Sequence, residues 1–569
     1  MELGASAVET YVVKLRKLEP LAKLGVLLCL SIAVFLPCFY LFSFIALKWN
    51  EVYGEIFANP LIGDQYWIRI QKSLALSFKI ALIAVAVDLL LGIPLAYLLA
   101  RREFRGRSLI EDLATLPLVV PTSGFGFAAL MTWASRDSPL AALGLRASID
   151  AVVPVLGVPL LILLVHISLT FPYVVRTVAA SLRDLERAYE VVSASLGARP
   201  LTTFRKVTLP LVLPGLLSGS VLAFARSLGE TGATMIVAGV STTAPIAIVR
   251  WEFEGKVAPA AFLGALLVAL ALAAILPVEY LLYKRGVPAL GASLGSLEDV
   301  LVKIERSVGR RLSRVRDAVS LAFLALAVVL PVATLFRLTA AYWSAEPYTG
   351  RYEGSVLYQL FGPSRYIEAI AKAIGTSIIA ASLSTFLSAY IAVLAVLYIA
   401  KSRGGGLVRA LLKIPLVVPT SALGLSMMLL WGPRGLGLVE PGIWLIVLTH
   451  IVFSVPVIVE TSLASYREVG VELYEETART LGATPHGVIE TVTLPMIKRG
   501  VLAGSLLAFA HSLGETGATF IVMGEDVTVS TLVVSMVESL AIPAALFASS
   551  LLVCISVGVL ALIRTAKLG

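Results

Sequence analysis

Long apolar runs alternate with short polar segments along nearly the whole chain of 569 residues. A helix needs about 20 apolar residues to cross roughly 30 Å of hydrocarbon. Runs of sufficient length lie near residues 23–47, 75–100, 108–132, 151–175, 208–238, 258–283, 317–342, 374–400, 408–431, 441–459, 496–523 and 541–563. This pattern predicts an all-α integral membrane protein with about twelve transmembrane helices.

The overall composition agrees with a membrane protein. Hydrophobic residues make up 58% of the chain and charged residues 15%, against about 45–50% and about 25% in soluble globular proteins. The first apolar run is too long, and begins too far from the N-terminus, to be the apolar core of a signal peptide. We therefore expect it to be a retained helix.

The net charge is +9, and the distribution of the basic residues among the loops indicates how the chain is oriented in the membrane. If the N-terminus is cytoplasmic, the inside loops hold about thirty Lys and Arg residues and the outside loops about ten, which is the positive-inside pattern. The basic residues thus report topology, and we expect no nucleic-acid partner. The expected location is the plasma membrane, with both termini in the cytoplasm.

The chain contains an internal repeat. The octapeptide SLGETGAT occurs at 227–234 and again at 512–519, at the end of a gap-free match between 196–234 and 481–519. Upstream, LPLVVPTSGFG corresponds to IPLVVPTSALG in the second half. Six spans per half is an even number, so the sequence predicts two parallel six-helix repeats, 1–283 and 317–569, joined by a basic cytoplasmic linker, 284–316.

A long cytoplasmic loop precedes the fifth span of each half. The second loop, 466–495, has helical spacing that Gly482 and Pro485 interrupt, and we expect a further short helix from His486 toward Leu494. The first loop, 181–210, matches it at Gly197, Leu209 and Pro210. Two short helices with a glycine bend would form a compact docking element on the cytoplasmic surface.

The second loop resembles the EAA loop of membrane subunits of binding-protein-dependent ABC importers. The residues that carry the resemblance are Glu476, Thr477, Ala478, Gly482, Leu494 and Pro495. In the first loop, valines and a serine occupy the Glu-Ala-Ala positions, and the only nearby glutamate is Glu190. The resemblance implies a duplicated type I importer fold whose coupling residues, Glu475 included, contact two ATP-binding subunits.

The chain has no motif for ATP hydrolysis of its own. No G-x-x-x-x-G-K-[ST] sequence occurs, and the four histidines have no metal-ligand spacing. We therefore predict neither an enzyme nor a metal protein: the chain would bind no cofactor, and its partner subunits would use ATP and Mg. We interpret His166 and His450, at matching places in the fourth spans, as interhelical hydrogen bonders.

Polar residues inside the fifth spans are the candidates for a translocation pathway. Charges at the membrane centre are costly, each by roughly 2.5–3.5 kcal/mol on insertion scales, so they are expected to face a partner or a wet cavity. Glycines nearby allow close backbone approach. The candidates are Arg226, Gly229, Glu230, Gly232, His511, Gly514, Glu515 and Gly517.

Two resemblances bear on the substrate. The LGETGAT segment is most similar to that of molybdate and tungstate permeases, whereas fusion of the two halves is more usual in ferric-iron and thiamine permeases. We favour an oxyanion, with thiamine, ferric iron and other small solutes as alternatives. In the importer hypothesis an external solute-binding protein delivers the substrate, and two ATPase subunits drive transport from the cytoplasmic side.

Two other classes of protein remain at this stage. A secondary transporter also has twelve spans in two parallel repeats, but it needs an intramembrane ion site, and the spans contain few carboxylates. A membrane scaffold that binds cytoplasmic partners would account for the loops but not for the duplicated fifth span.

Overall fold

A computed structural model describes residues 20–59, 63–285 and 313–568. Most of the predicted linker, 284–316, lies outside these ranges. The helices of the first half are α1 (Pro20–Leu47), α2 (Trp49–Ile56), α3 (Gly63–Arg101), α4 (Arg107–Leu118), α5 (Thr122–Trp133), α6 (Leu160–Asp184), α7 (Ala188–Ser195), α8 (Pro200–Gly229), α9 (Gly232–Val237), α10 (Ala244–Phe253) and α11 (Val257–Arg285). Two short strands, β1 (Val152–Val153) and β2 (Val158–Pro159), pair antiparallel between α5 and α6.

The second half repeats the order of these helices. Its helices are α12 (Ser313–Ala341), α13 (Val356–Phe361), α14 (Tyr366–Lys401), α15 (Gly405–Leu416), α16 (Thr420–Trp431), α17 (Ile443–Glu468), α18 (Val471–Thr480), α19 (Pro485–Gly514), α20 (Gly517–Val522), α21 (Val529–Glu538) and α22 (Ile542–Leu568). Single 3₁₀ turns also occur at Ala141–Leu143 and Tyr352–Gly354. The described residues therefore form an all-α membrane architecture that is built twice.

The described residues contain ten helices long and apolar enough to cross a membrane, or up to twelve if two bent pairs count as one span each. The bent pairs are α4 with α5, at 106°, and α15 with α16, at 103°. Each bend lies at the duplicated VVPTS sequence, where Pro121 and Pro419 precede the second helix. Proline restricts the residue before it and cannot continue the hydrogen-bond ladder. The third and ninth predicted spans are thus sharply bent rather than straight.

Two expectations about the fifth spans are wrong in detail. The short helix expected after Gly482 does not end at Pro495, because it continues into the span as α19. A π turn over Ile489–Thr493 directly precedes Leu494 and Pro495, so the proline lies where the regular ladder is already interrupted. The span itself ends early, at Gly514, and the matching helix α8 ends at Gly229.

The two halves interlock through their bent helices. Helix α1 of the first half packs on α16 and α17 of the second, and α12 of the second half packs on α5 and α6 of the first. Helix α5 also contacts α21 and α22, and α16 contacts α10 and α11. Because each half covers the bent helix of the other, the interface between the halves runs through the middle of the molecule.

The halves differ most in the loop after α5. Residues 134–159 separate α5 from α6, while only 432–442 separate α16 from α17. This longer loop contacts the second half: the Tyr342 hydroxyl donates to Asp137 Oδ2 at 2.5 Å, and Arg337 donates to the Asp137 carbonyl. Burial and this hydrogen bond raise the pKa of Tyr342, so its hydroxyl stays protonated and remains a donor.

Candidate functional site

Each octapeptide forms a break between two helices. In the first half, α8 ends at Gly229, and α9 begins at Gly232 after the two residues Glu230 and Thr231. A buried histidine of the fourth span holds both ends of the segment. His166 Nδ1 lies 2.7 Å from Ser227 Oγ, and its Nε2 lies 3.0 Å from Thr234 Oγ1.

The second octapeptide has the same arrangement. His450 Nδ1 lies 2.5 Å from Ser512 Oγ, and Nε2 lies 3.0 Å from Thr519 Oγ1. This confirms the interpretation of both histidines as interhelical hydrogen bonders. Each histidine joins the first and the last residue of an octapeptide, and so fixes the shape of the helix break.

The two glutamates of the octapeptides stabilise these breaks. Glu230 Oε1 accepts the Ala233 N–H at 3.1 Å, and Glu515 Oε1 accepts the Ala518 N–H at 3.1 Å. The first turn of a helix leaves N–H groups without intrahelical partners, so each carboxylate satisfies one of them. Both glutamates are buried, with only 2% and 4% of their surface exposed.

The partners of the two glutamates differ between the halves. Arg226 forms an ion pair with Glu230 across one helical turn, at 2.7 Å. His511 occupies the corresponding position beside Glu515, at 3.7 Å. The Arg226 side chain is 20% exposed and that of His511 is 36% exposed. Of these four predicted residues, the structure thus leaves Arg226 and His511 accessible and encloses the glutamates.

The two octapeptides meet at the interface between the halves. A Cβ built on Gly232 would lie 2.6 Å from Thr516 Cβ in the other half and 2.8 Å from Thr122 Oγ1. A Cβ on Gly517 would lie 2.7 Å from Thr231 Cβ and 2.8 Å from Thr420 Oγ1. Real Cβ atoms do not approach other atoms this closely, so the contact requires glycine.

The neighbouring glycines pack on the bent helices. Gly229 approaches Pro419 of the second half, and Gly514 approaches Pro121 of the first, each with a built Cβ 3.0 Å from the proline Cα. The octapeptides and the two VVPTS sequences thus form one buried contact, which we call the central seam. The seam comprises Pro121, Thr122, Gly229, Thr231, Gly232 and their counterparts Pro419, Thr420, Gly514, Thr516, Gly517.

Two helices begin at the central seam without a side-chain cap. These are α5 and α16, each of 12 residues, whose second residues are Ser123 and Ser421. Both serines are fully buried, and their hydroxyls have no hydrogen-bond partner within the described part of the chain. Since Cα–Cβ bonds tilt toward the helix N-terminus, these hydroxyls lie at the same ends as the first N–H groups. Sequence reasoning found the repeated VVPTS but assigned these residues no role.

A glutamate in each half attaches the loop before the fifth span, which we call the coupling loop, to the membrane helices; Glu475 is buried, and the Glu190 side chain is 17% exposed. Glu475 accepts a short hydrogen bond from Thr493 Oγ1 and lies 3.4 Å from Lys401 Nζ, at the end of α14. Glu190 accepts from Thr208 Oγ1 at 3.1 Å and from Arg101 Nε at 3.2 Å. Each carboxylate therefore joins its loop helix to the second span and to the start of the fifth.

This geometry distinguishes two glutamates that are adjacent in the motif. The motif predicts that the first loop lacks one glutamate, because valine occupies the position of Glu476. The structural counterpart of Glu190 is Glu475, whereas Glu476 is exposed on α18. Both loops consequently keep the glutamate that contacts the membrane helices, and only the exposed one is missing from the first half.

The glycines of the loops serve backbone conformation rather than close packing. Gly197 has a φ of +87° and Gly482 a φ of +90°, and a Cβ on either would have no atom within 4 Å. This left-handed conformation ends α7 and α18. Ala478 is half-buried beside this turn, while Leu209, Pro210, Leu494 and Pro495 begin the regular part of the fifth spans.

Replacing Gly482 by alanine tests this reading of the bend. We expect the substitution to cost about 1–2 kcal/mol, because a left-handed conformation is unfavourable for residues with a Cβ, and to lower ATP-driven uptake. Thermal unfolding and uptake in reconstituted vesicles measure the two effects. Gly437→Ala is the matched control, since Gly437 also has a positive φ of +63° and open space but lies far from the loops. Equal loss of uptake in both variants would refute a specific role for Gly482.

Comparison with known proteins gives a consistent picture. The model of the family described as "Binding-protein-dependent transport system inner membrane component" matches residues 92–285 and again 384–566. The molybdenum transport system permease protein ModB of Mycobacterium tuberculosis is 39% identical over 217 residues, which are 34% of this chain and 78% of that protein. The molybdate/tungstate transport system permease protein WtpB of Pyrococcus abyssi is 30% identical over 230 residues, 40% of this chain and 81% of that protein.

A relative with another substrate in its name also matches. The probable sulfate transport system permease protein cysT of Anthoceros angustus is 32% identical over 187 residues, covering 32% of this chain and 59% of that protein. The two family matches together span more than half of the chain, and they coincide with the two halves of the fold. The chain therefore belongs to the family of binding-protein-dependent transport system inner membrane components and carries two copies of it.

Proposed function

We propose that the chain forms the whole translocation pathway of an ABC importer for a small tetrahedral oxyanion, with molybdate or tungstate as the substrate. An external binding protein delivers the anion, and two ATP-binding subunits on the cytoplasmic side use ATP and Mg. Both termini lie in the cytoplasm, and the chain itself binds no cofactor. The names of the molybdenum and molybdate/tungstate relatives support this choice.

The observation that carries the proposal is the pair of helix N-termini at the central seam. Helices α5 and α16 both begin there, uncapped, beside the unpartnered hydroxyls of Ser123 and Ser421. A helix N-terminus carries roughly half a positive elementary charge and presents N–H donors, which favours anions. When the halves separate, these donors become available to the oxygens of a passing oxyanion.

The nearby charges are compatible with an anion. Glu230 is paired with Arg226, and both glutamates accept backbone N–H groups, so their negative charge is directed into the protein. The accessible side chains are those of Arg226 and His511, neither of which is acidic. In the closed seam, the contacts of Gly229, Gly232, Gly514 and Gly517 leave no space for a substrate between the halves.

ATP-driven uptake tests the proposed function. Vesicles containing the chain, with the ATP-binding subunits and the binding protein that co-purify with it, are loaded with ATP, and the uptake of radioactive molybdate is followed. We expect uptake that requires ATP and that unlabelled tungstate inhibits more strongly than sulfate. Stronger inhibition by sulfate would favour the substrate named for the sulfate relatives. Uptake of thiamine or ferric iron instead, or uptake driven by an ion gradient without ATP, would contradict the proposal.

The double substitution Ser123→Ala and Ser421→Ala tests the site. A hydrogen bond to a charged group contributes about 1.5–3 kcal/mol, so we expect the KM for molybdate to rise at least about tenfold. Thr132→Val is the control, because Thr132 is buried on the same helix but donates its hydroxyl to the Ala128 carbonyl at 2.7 Å, away from the seam. An unchanged KM in the serine variant would exclude these hydroxyls as substrate contacts.

A further inference from the structure

The surfaces that the two coupling loops expose are chemically different. The loops correspond residue for residue between 187–208 and 472–493. We call the exposed residues of these segments the first and the second coupling surface. Both surfaces surround the bend at Gly197 or Gly482, next to the glutamate that attaches the loop.

One part of the two surfaces is the same. Tyr189 and Tyr474 are both 53% exposed, and Leu196 and Leu481 are 83% and 84% exposed. Large apolar side chains this exposed on a cytoplasmic loop indicate a contact with a partner. Because the pair is repeated at matching positions with the same exposure, both loops offer a partner the same apolar contact.

The charges around this shared apolar contact have opposite signs. The first segment contains four basic residues and one acidic residue, and the second contains one basic and four acidic residues. Arg187 corresponds to Glu472 and Val191 to Glu476, and all four are exposed. Further along, Arg205 corresponds to Glu490. Matched positions thus carry charges that one partner surface cannot complement twice.

From this contrast we infer that two copies of one ATP-binding subunit dock with unequal affinity on the two loops of this chain. Raising the ionic strength would then strengthen docking at one loop and weaken it at the other. The inference rests on the proposed function, which supplies the ATP-binding subunits as partners. The apolar contact holds both copies. The charges strengthen docking at one loop and weaken it at the other.

Salt should remove this difference. The Debye length falls from about 10 Å at 0.1 M salt to about 3 Å at 1 M, so exposed charges are screened while apolar contacts persist. Exposed charge pairs are individually weak, about 0–1 kcal/mol each, but several reversals act together. We expect protection of the two loops to differ about tenfold at 0.05 M salt and about twofold or less at 0.5 M, as screening requires.

Hydrogen exchange on the assembled complex measures both loops in one molecule. The complex with its co-purified ATP-binding subunits is placed in lipid nanodiscs, and exchange is followed in peptides covering 187–208 and 472–493 at the two salt concentrations. The expected result is that rising salt increases protection in one loop and decreases it in the other. The chain without ATP-binding subunits supplies the baseline for each loop.

Charge exchange between the loops tests the cause. One variant carries Arg187→Glu and Val191→Glu, which gives the first loop the residues of the second at these two positions. The reciprocal variant carries Glu472→Arg and Glu476→Val. We expect each variant to remove most of the salt response of its altered loop, because that segment then contains equal numbers of basic and acidic residues. All four positions are exposed. Arg187 also donates to the Arg101 carbonyl at 3.2 Å, so thermal unfolding of the Arg187 variant is compared with that of the unmodified chain.

The outcomes are distinct. Parallel salt responses of the two loops in the unmodified complex would overturn the inference, and would indicate that each loop has a separately matched partner surface. Opposite responses that persist in both variants would also overturn it, since the charges named here would then not be the cause. Absence of protection at either loop when ATP-binding subunits are present would instead contradict the proposed function.

Discussion

Replacing Gly517 by alanine is expected to open the closed pathway. The new Cβ would lie 2.7 Å from Thr231 Cβ and Oγ1, and 2.8 Å from Thr420 Oγ1, so the halves cannot meet at the central seam. We expect passive leakage of small anions through vesicles without ATP, and ATP hydrolysis that no longer depends on substrate delivery. Leakage is measured as the efflux of trapped molybdate.

Two further variants show whether steric contact is the cause. Adding Thr231→Gly to Gly517→Ala removes the closer of the two colliding side chains and leaves only the rotatable Thr420 hydroxyl, so we expect leakage to fall toward that of the unmodified protein. Gly375→Ala is the matched control, because Gly375 lies inside helix α14 with nothing within 4 Å of a built Cβ. If the Gly517→Ala variant shows no leakage of molybdate and normal uptake, the central seam is not the barrier that closes the pathway.

Replacing Glu475 by alanine is expected to disconnect the second coupling loop from the membrane helices. Thr493, Lys401 and Arg479 would all lose this carboxylate as a partner. Leaving a buried polar partner unsatisfied costs about 1–3 kcal/mol. Arg479 contributes little to this cost, because its side chain is half exposed and water can replace the lost contact. We expect ATP hydrolysis to continue while uptake falls by at least about tenfold, because movement of the loop no longer reaches α14 and α19.

The chain offers two comparisons for this variant. Glu476→Ala removes the neighbouring exposed carboxylate, so it should leave thermal stability nearly unchanged. Glu190→Ala removes the matching group of the first half, and we expect an uncoupling of similar kind. If Glu475→Ala keeps full uptake and full stability, the carboxylate is not the mechanical connection that its contacts indicate.

Sequence patterns located the membrane helices well, because apolar run length reports directly on the bilayer. They could not distinguish a straight span from a bent pair, since both have the same composition. The bends follow from Pro121 and Pro419, which the repeat displayed but which only the three-dimensional contacts explain. The break at Glu230 and Thr231 was hidden in the same way, inside a run that is apolar on both sides.

The candidate site was found in part. The sequence identified the four glycines of the octapeptides. Their partners Thr122 and Thr420 lie in another span, and a single sequence gives no signal for contacts between the halves. The motif named both Glu475 and Glu476, but the sequence could not show that the first is buried and the second exposed. The repeat contained the answer, because Glu190 corresponds to Glu475 at the same spacing that relates the two octapeptides.

The central claim is that the two halves meet and separate at the central seam during transport. A disulfide across the seam tests it most directly: Gly514→Cys with Pro121→Cys, in a chain whose Cys29, Cys38 and Cys554 are replaced by serine. A Cβ at Gly514 lies 3.4 Å from Pro121 Cβ, close to the spacing of about 3.5–4.5 Å in disulfides. We predict that oxidation cross-links the pair and stops ATP-driven uptake, and that reduction restores uptake, with each single-cysteine variant as the control. A cross-linked protein that transports at the normal rate would contradict the account.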